Sequence, residues 1–299
     1  MRLFPDWTHV LTPPDLGLPY RGEYPCVYLI CLRDRTIPRL CGRDDQGILT
    51  IGYTLYPRMT FQEFVRASMN GRTTQRSAQT LYYFSKISPG ISELFNNGPK
   101  GPFLEFYFIK GAKDLWLECM VSYIRSFGEL PPLDGLLSYL PMASPKKTHK
   151  EDWIYFKHPS ALRVDAPPAI YRVHLERPDL HRWLGPDPSS IFYIGKSTDP
   201  HARLTMFLWS AQTGSPKHDG GQKLHQYSRI CPGLKTMLGK DIPKGLRFSL
   251  RYVDRSDLFP QENRSTDLYT SPFGELPPGN GEITGGRKRM DGLLKHYTK

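Results

Sequence analysis

The sequence contains itself twice. Slid by 143 residues, the chain matches itself without a gap. Pro25 falls on Pro168, Tyr28 on Tyr171, Gly42 on Gly185, Asp44 on Asp187 and Phe64 on Phe207. Ile51-Gly52 meets Ile194-Gly195, and Ser85-Lys86-Ile87-Ser88-Pro89-Gly90 meets Ser228-Arg229-Ile230-Cys231-Pro232-Gly233. The copies then drift by three residues and share Phe-Gly-Glu-Leu-Pro-Pro at 127–132 and 273–278. A fixed register over such a span is the mark of a duplicated module. The copies run from about 24 to 140 and from about 167 to 299. The expected division is a first module with an N-terminal extension over 1–142, a linker over 143–166 and a second module over 167–299.

Each copy repeats one order of elements. An apolar, β-rich run opens it (26–30 or 169–173), followed by a loop with Gly and Asp and a second short strand (48–52 or 191–195). A helix follows Pro57 or Pro200, and a second spans 79–87 or 222–230 and stops at the Pro-Gly step. A third strand follows (104–109 or 246–253); in the second copy Leu246, Phe248, Leu250 and Tyr252 alternate with polar residues. The expectation is β-β-α-α-β-α, a mixed α/β (α+β) module with a three-stranded sheet flanked by helices. A duplicated module often mimics a homodimer, so a pseudo-two-fold packing is expected.

Composition narrows the function. Hydrophobic residues make up 39% and charged residues 23%, enough for packed cores. The net charge of +11 points to a polyanion partner, nucleic acid or an acidic surface. The five cysteines form no CxxC pair, which argues against a zinc site or disulfide framework and for free thiols in a reducing cytoplasm. The first residues lack the apolar stretch of a signal peptide, and no run of about 18 apolar residues is present to span a membrane.

The second copy carries a chemical signature: Ile170-Tyr171 on its first strand, Tyr193-Ile194-Gly195-Lys196 at the end of its second, and Arg203 ten residues after Tyr193. This combination resembles the GIY-YIG nuclease family, over nearly all of the second copy and, through the repeat, over the first. The resemblance implies a metal-dependent endonuclease that nicks DNA. Tyr171 and Tyr193 would hold and deprotonate a water, with Lys196 as the cation that lowers their pKa. The planar fork of Arg203 suits phosphate oxygens. The family takes a metal-binding carboxylate from the helix after the third strand. Glu262 is the nearest match, for a single Mg²⁺ or Mn²⁺, with Asp257 in reserve. Pro260 is welcome only in a first turn, so Glu262 is expected at the very start of that helix. Asn280, after Pro277-Pro278-Gly279, matches a later family position.

The first copy departs from the pattern. Tyr28 survives and Glu118 lies on a helical stretch, but Thr50 stands for the second Tyr, Tyr53 for the Lys, Thr60 for the Arg and Asp134 for Asn280. It reads as a scaffold or DNA-gripping copy. The second copy has Phe207 where many family members carry a proton-transferring Tyr or His; His201 is a nearby substitute. The rival reading is a catalytically inactive nucleic-acid-binding protein. The paired Gly-Glu-Leu-Pro-Pro segments read as turns that close each module. The basic stretches 145–150 and 285–289 are either solvated or laid along phosphate.

Overall fold

A computed structural model of the chain describes residues 9–11, 25–32, 36–70, 75–96, 104–111, 113–134, 153–176, 180–238 and 242–280. Both basic stretches lie outside them. The first module runs β1 (His9–Leu11), β2 (Cys26–Leu32), β3 (Ile37–Arg39), β4 (Gly42–Asp44), β5 (Ile48–Thr54), α1 (Pro57–Asn70), α2 (Arg76–Ile87), α3 (Pro89–Asn96), β6 (Leu104–Lys110) and α4 (Lys113–Phe127). The second repeats it: β7 (Ile154–Phe156), β8 (Ala169–Leu175), β9 (Leu180–Arg182), β10 (Gly185–Asp187), β11 (Ile191–Ser197), α5 (Pro200–Thr213), α6 (Asp219–Ile230), α7 (Pro232–Leu238), β12 (Leu246–Tyr252) and α8 (Leu258–Phe273).

The mixed α/β class is as expected, with three additions. Each sheet has four strands rather than three, in the orders β1-β6-β2-β5 and β7-β12-β8-β11. The extra edge strand comes from the N-terminal extension in one module and, in the other, from the segment read as linker. β7 pairs with β12 antiparallel, Phe248 opposite Phe156. The loop between the first two core strands folds into a small hairpin, β3-β4 or β9-β10. The Pro-Gly step does not end the helical run. Pro89 and Pro232 open the short helices α3 and α7, since proline lacks only an N–H that a first helical residue does not use.

Local chemistry sets the boundaries. Asp199 caps α5 by accepting from the Ala202 N–H, Pro200 follows it, and Gly214 ends the helix at φ 76°. Asp44 and Asp187, both buried, hold equivalent turns. Asp44 accepts from the Gln46 and Ile48 N–H groups, and Asp187 from those of Ser189 and Ile191. One face of the second sheet, with Tyr171, Val173, Leu246, Phe248 and Leu250, packs on Phe207 of α5 and Leu224 and Tyr227 of α6. Leu258 and Tyr269 of α8 cover Ile170 and Ile194 on the other face.

The modules meet across a reciprocal contact. α4 lies against α6, and α8 against α2, while β3 lies beside β9. At the centre sit four buried charges. Arg39 reaches Glu275 of the other module at 2.5 Å, and Arg182 reaches Glu129 at 2.5 Å. Each arginine also donates to a carbonyl, Arg39 to Leu130 and Arg182 to Leu276. Each glutamate accepts a backbone N–H, Glu129 from Leu40 and Glu275 from Trp183. The Glu-Leu-Pro-Pro segments therefore do more than close each module. They supply the carboxylates that neutralise the partner copy's arginine in a site where unpaired charge is costly.

Candidate functional site

The signature residues of the second copy fall at one end of β8 and β11, where α5, α6 and α8 begin. Gly195 lies opposite Tyr171 in the β8-β11 ladder. A Cβ there would sit 2.6 Å from the Tyr171 hydroxyl and 2.8 Å from Tyr193 Cε1, so only glycine lets the two rings close over the strand. The rings stack at 6.1 Å. Gly220, in the first turn of α6, gives the same clearance to the Tyr193 ring from the opposite side.

Sequence reasoning missed His218. It precedes α6, and its Nδ1 accepts from the Gly221 N–H at 3.4 Å as the N-cap. That bond makes Nε2 the protonated nitrogen of the neutral ring, so His218 donates to the Tyr171 hydroxyl, 2.8 Å away. Burial pushes the imidazole down to about 3, and the Arg203 and Lys223 charges push the same way. Phe207 packs edge-on against this ring at 4.9 Å. A polar partner for the tyrosines thus enters beside Phe207, from the loop before α6 and not from α5. No spacing rule pointed to it, since His218 lies far along the chain from Arg203.

The cation facing the phenols is Arg203. Burial pushes Tyr171 up to about 12 and Tyr193 well above its usual value, while the Arg203 charge pulls both down. Lys196, expected in that role, is turned away. Its Nζ pairs with Glu262 and lies 3.4 Å from the Phe259 ring centroid. Glu262 is the fifth residue of α8, not its start. Pro260 is the third residue of α8, within the first turn where proline is tolerated, so Glu262 falls one turn into the helix. The side-chain hydrogen bonds of Asn280 go to Ile194 and to neither tyrosine. Its amide accepts from the Ile194 N–H at 2.8 Å and donates to the Ile194 carbonyl at 2.7 Å, which pins β11 as another strand would.

Glu262 can offer an oxygen to a divalent ion. Among the described residues, no three His, Cys, Asp or Glu side chains come together around a cation. A single carboxylate suits Mg²⁺, which keeps several waters and binds through a carboxylate and substrate phosphate oxygens.

In the first module the same place is rebuilt. Counting back from the shared Phe127 and Phe273, Trp116 and not Glu118 is the residue equivalent to Glu262. Trp116 is buried and donates to the Ile51 carbonyl at 2.8 Å, while Glu118 is exposed. Gln75 stands for His218 and reaches the Tyr28 hydroxyl at 3.3 Å. Asp134 copies Asn280, accepting from the Ile51 N–H at 3.0 Å and from the Thr50 hydroxyl.

The second sheet also presents a basic face. Arg247, Ser249 and Arg251 alternate along β12, with Arg172 opposite Ser249 on β8. Trp153 lies under both Arg172 and Arg251, at 3.6 and 5.6 Å. The Tyr155 ring, which is exposed, lies tilted against His174 at 5.8 Å. The first module has Leu29 where Arg172 stands, and Glu105 and Ile109 where β12 carries Arg247 and Arg251. No described helix is long and apolar enough to cross a membrane. No model of a known protein family, no curated protein and no solved structure matches the chain significantly.

Proposed function

We propose that the second module is a metal-dependent endonuclease of the GIY-YIG type, nicking one strand of DNA in the cytoplasm, and that the first module does not cleave. The observation that carries this reading is the convergence of Tyr171, Tyr193, Arg203 and His218 on one strand end, with Glu262 on the adjoining helix. The phenols orient a water, His218 holds the Tyr171 ring and oxygen in place, and Arg203 meets the charge that grows on the phosphoryl oxygens. Glu262 would hold a Mg²⁺ or Mn²⁺ ion, which when bound polarises the phosphate and stabilises the leaving oxygen. Lys196 then has to release Glu262. The arginine face of the second sheet and the +11 net charge supply an electrostatic footprint for a nucleic-acid backbone.

A second reading, binding without cleavage, is favoured by one observation: the Glu262 carboxylate is already paired with Lys196. Purified protein mixed with supercoiled plasmid separates the two, with Mg²⁺ or with EDTA. A nuclease converts the plasmid to open circles only with the metal; a binding protein retains it intact.

A further inference from the structure

The first module keeps a cleft of about 450 Å³ at the place equivalent to the signature site of the second. That volume lies within the range of about 300–1,000 Å³ typical of small-molecule sites. Its wall is aromatic: Tyr28, Tyr53 and Trp116. Its rim is cationic, from Arg76 at the start of α2 and Lys113 at the start of α4. Both are exposed, and neither joins an ion pair among the described residues. Asp134, Gln75 and Ser77 add hydrogen-bonding groups to the lining.

The rim differs from the second module at two positions. Arg76 stands where the other copy has Asp219, and Lys113 where it has Phe259. The groups for hydrolysis have gone: Trp116 replaces the carboxylate, and Thr60 falls where Arg203 would be. The cleft has lost its means of cutting a phosphodiester and carries its cations at the rim, beside a stacking surface, instead of at the strand end.

We infer that this cleft binds a nucleotide without turning it over, the base against the Tyr53 and Trp116 side and the 5′-phosphate at Arg76 and Lys113. The phosphate can belong to a free nucleotide or to the end of a strand. The site stands apart from the nuclease reading, since it uses none of the second module's residues.

Calorimetric titration in EDTA tests it with four probes: deoxyadenosine 5′-monophosphate, deoxyadenosine, inorganic phosphate and a 5′-phosphorylated single-stranded oligonucleotide. An Arg203→Ala background removes the cation of the other module's signature site, and a double variant at the rim separates the cleft from that module's arginine face. A stacked base is worth roughly 1–3 kcal/mol, so the monophosphate is expected to bind between about fivefold and about 150-fold more tightly than phosphate alone. The double variant Arg76→Ala, Lys113→Ala, at two exposed positions, weakens binding by at least about tenfold. Binding of the oligonucleotide but not of the mononucleotide assigns the phosphate to a strand end. Failure of both to bind overturns the site, as does binding that the double variant leaves unchanged or that requires Arg203. A nicking assay on the double variant reads the second module separately.

Discussion

The Tyr171 hydroxyl accepts a hydrogen bond from His218 across 2.8 Å, and the Gly221 N–H on the far side of the imidazole fixes which nitrogen carries the proton. The ring is neutral, because burial holds it near 3. His218 is therefore a positioning residue for the tyrosine. His218→Asn keeps an N-cap but cannot reach Tyr171. The expected result is a fall in nicking of roughly 10²-fold at unchanged plasmid affinity, with thermal stability within about 1 kcal/mol. An unchanged nicking rate would leave His218 only its capping role.

Burial sets the pH dependence of the same site. Tyr171 is pushed up to about 12, so its anionic form is scarce at neutral pH and grows tenfold per pH unit below that value. If Tyr171 takes the water's proton, single-turnover nicking rises steadily from about pH 7 to pH 10, without the plateau near 6.5 that a titrating histidine imposes. A profile levelling off near 6.5 would point to a different base.

Asp134 offers a test confined to the first module. Burial pushes its carboxyl up to about 7, whereas an unfolded aspartate titrates near about 3.9. The native state holds this proton more tightly, so the contribution is fully present below the unfolded value. It is lost as pH rises through about 7. Asp134→Asn imitates Asn280, which makes its bonds to Ile194 without a charge. Urea unfolding at pH 5 and pH 8 is expected to show the variant more stable at pH 8, by on the order of 1 kcal/mol, with a smaller gap at pH 5. Equal stability at pH 8 would contradict the assignment.

The buried quartet binds the modules into one unfolding unit. Arg182→Met leaves Glu129 and Glu275 sharing Arg39 alone, in a site where neither is solvated. Removing one partner of a buried pair costs about 3–5 kcal/mol. Calorimetry is expected to show a lower Tm, with the modules separating into two transitions. A variant unfolding like the parent would deny the quartet this role.

The arginine face has its own signature. Arg172→Ala, Arg247→Ala and Arg251→Ala each remove one half-buried cation from the same face of β8 and β12. Each is expected to weaken duplex binding evenly across sequences and to reduce the log–log salt slope by about 1. An unaltered slope would place the phosphate contacts elsewhere.

Much of this architecture was legible because the duplication printed it twice. Register identity from Pro25/Pro168 to Gly90/Gly233 fixed the strands and first helices, and Tyr171, Tyr193 and Arg203 marked the strand end where the site forms. Four kinds of feature escaped. His218 lies on a loop, and what brings it to Tyr171 is the α5-α6 packing. Trp116 was masked by the nearby Glu118, because the three-residue drift hides the true register until both helices are counted from their shared Phe-Gly end. The Arg39, Arg182, Glu129 and Glu275 quartet joins the hairpin strands β3 and β9 to the turn segments after α4 and α8, and charged residues in such short segments carry no sign of burial. β7 reads as linker in the sequence because a three-residue edge strand has no periodicity.

The most direct measurement is plasmid nicking by the protein and by Arg203→Ala, each with Mg²⁺ and with EDTA. The account predicts open circles from the parent with Mg²⁺ alone and none from the variant, which still folds and still retains plasmid at low salt. Salt-sensitive retention without any nicking by the parent, or nicking that survives Arg203→Ala, would contradict it.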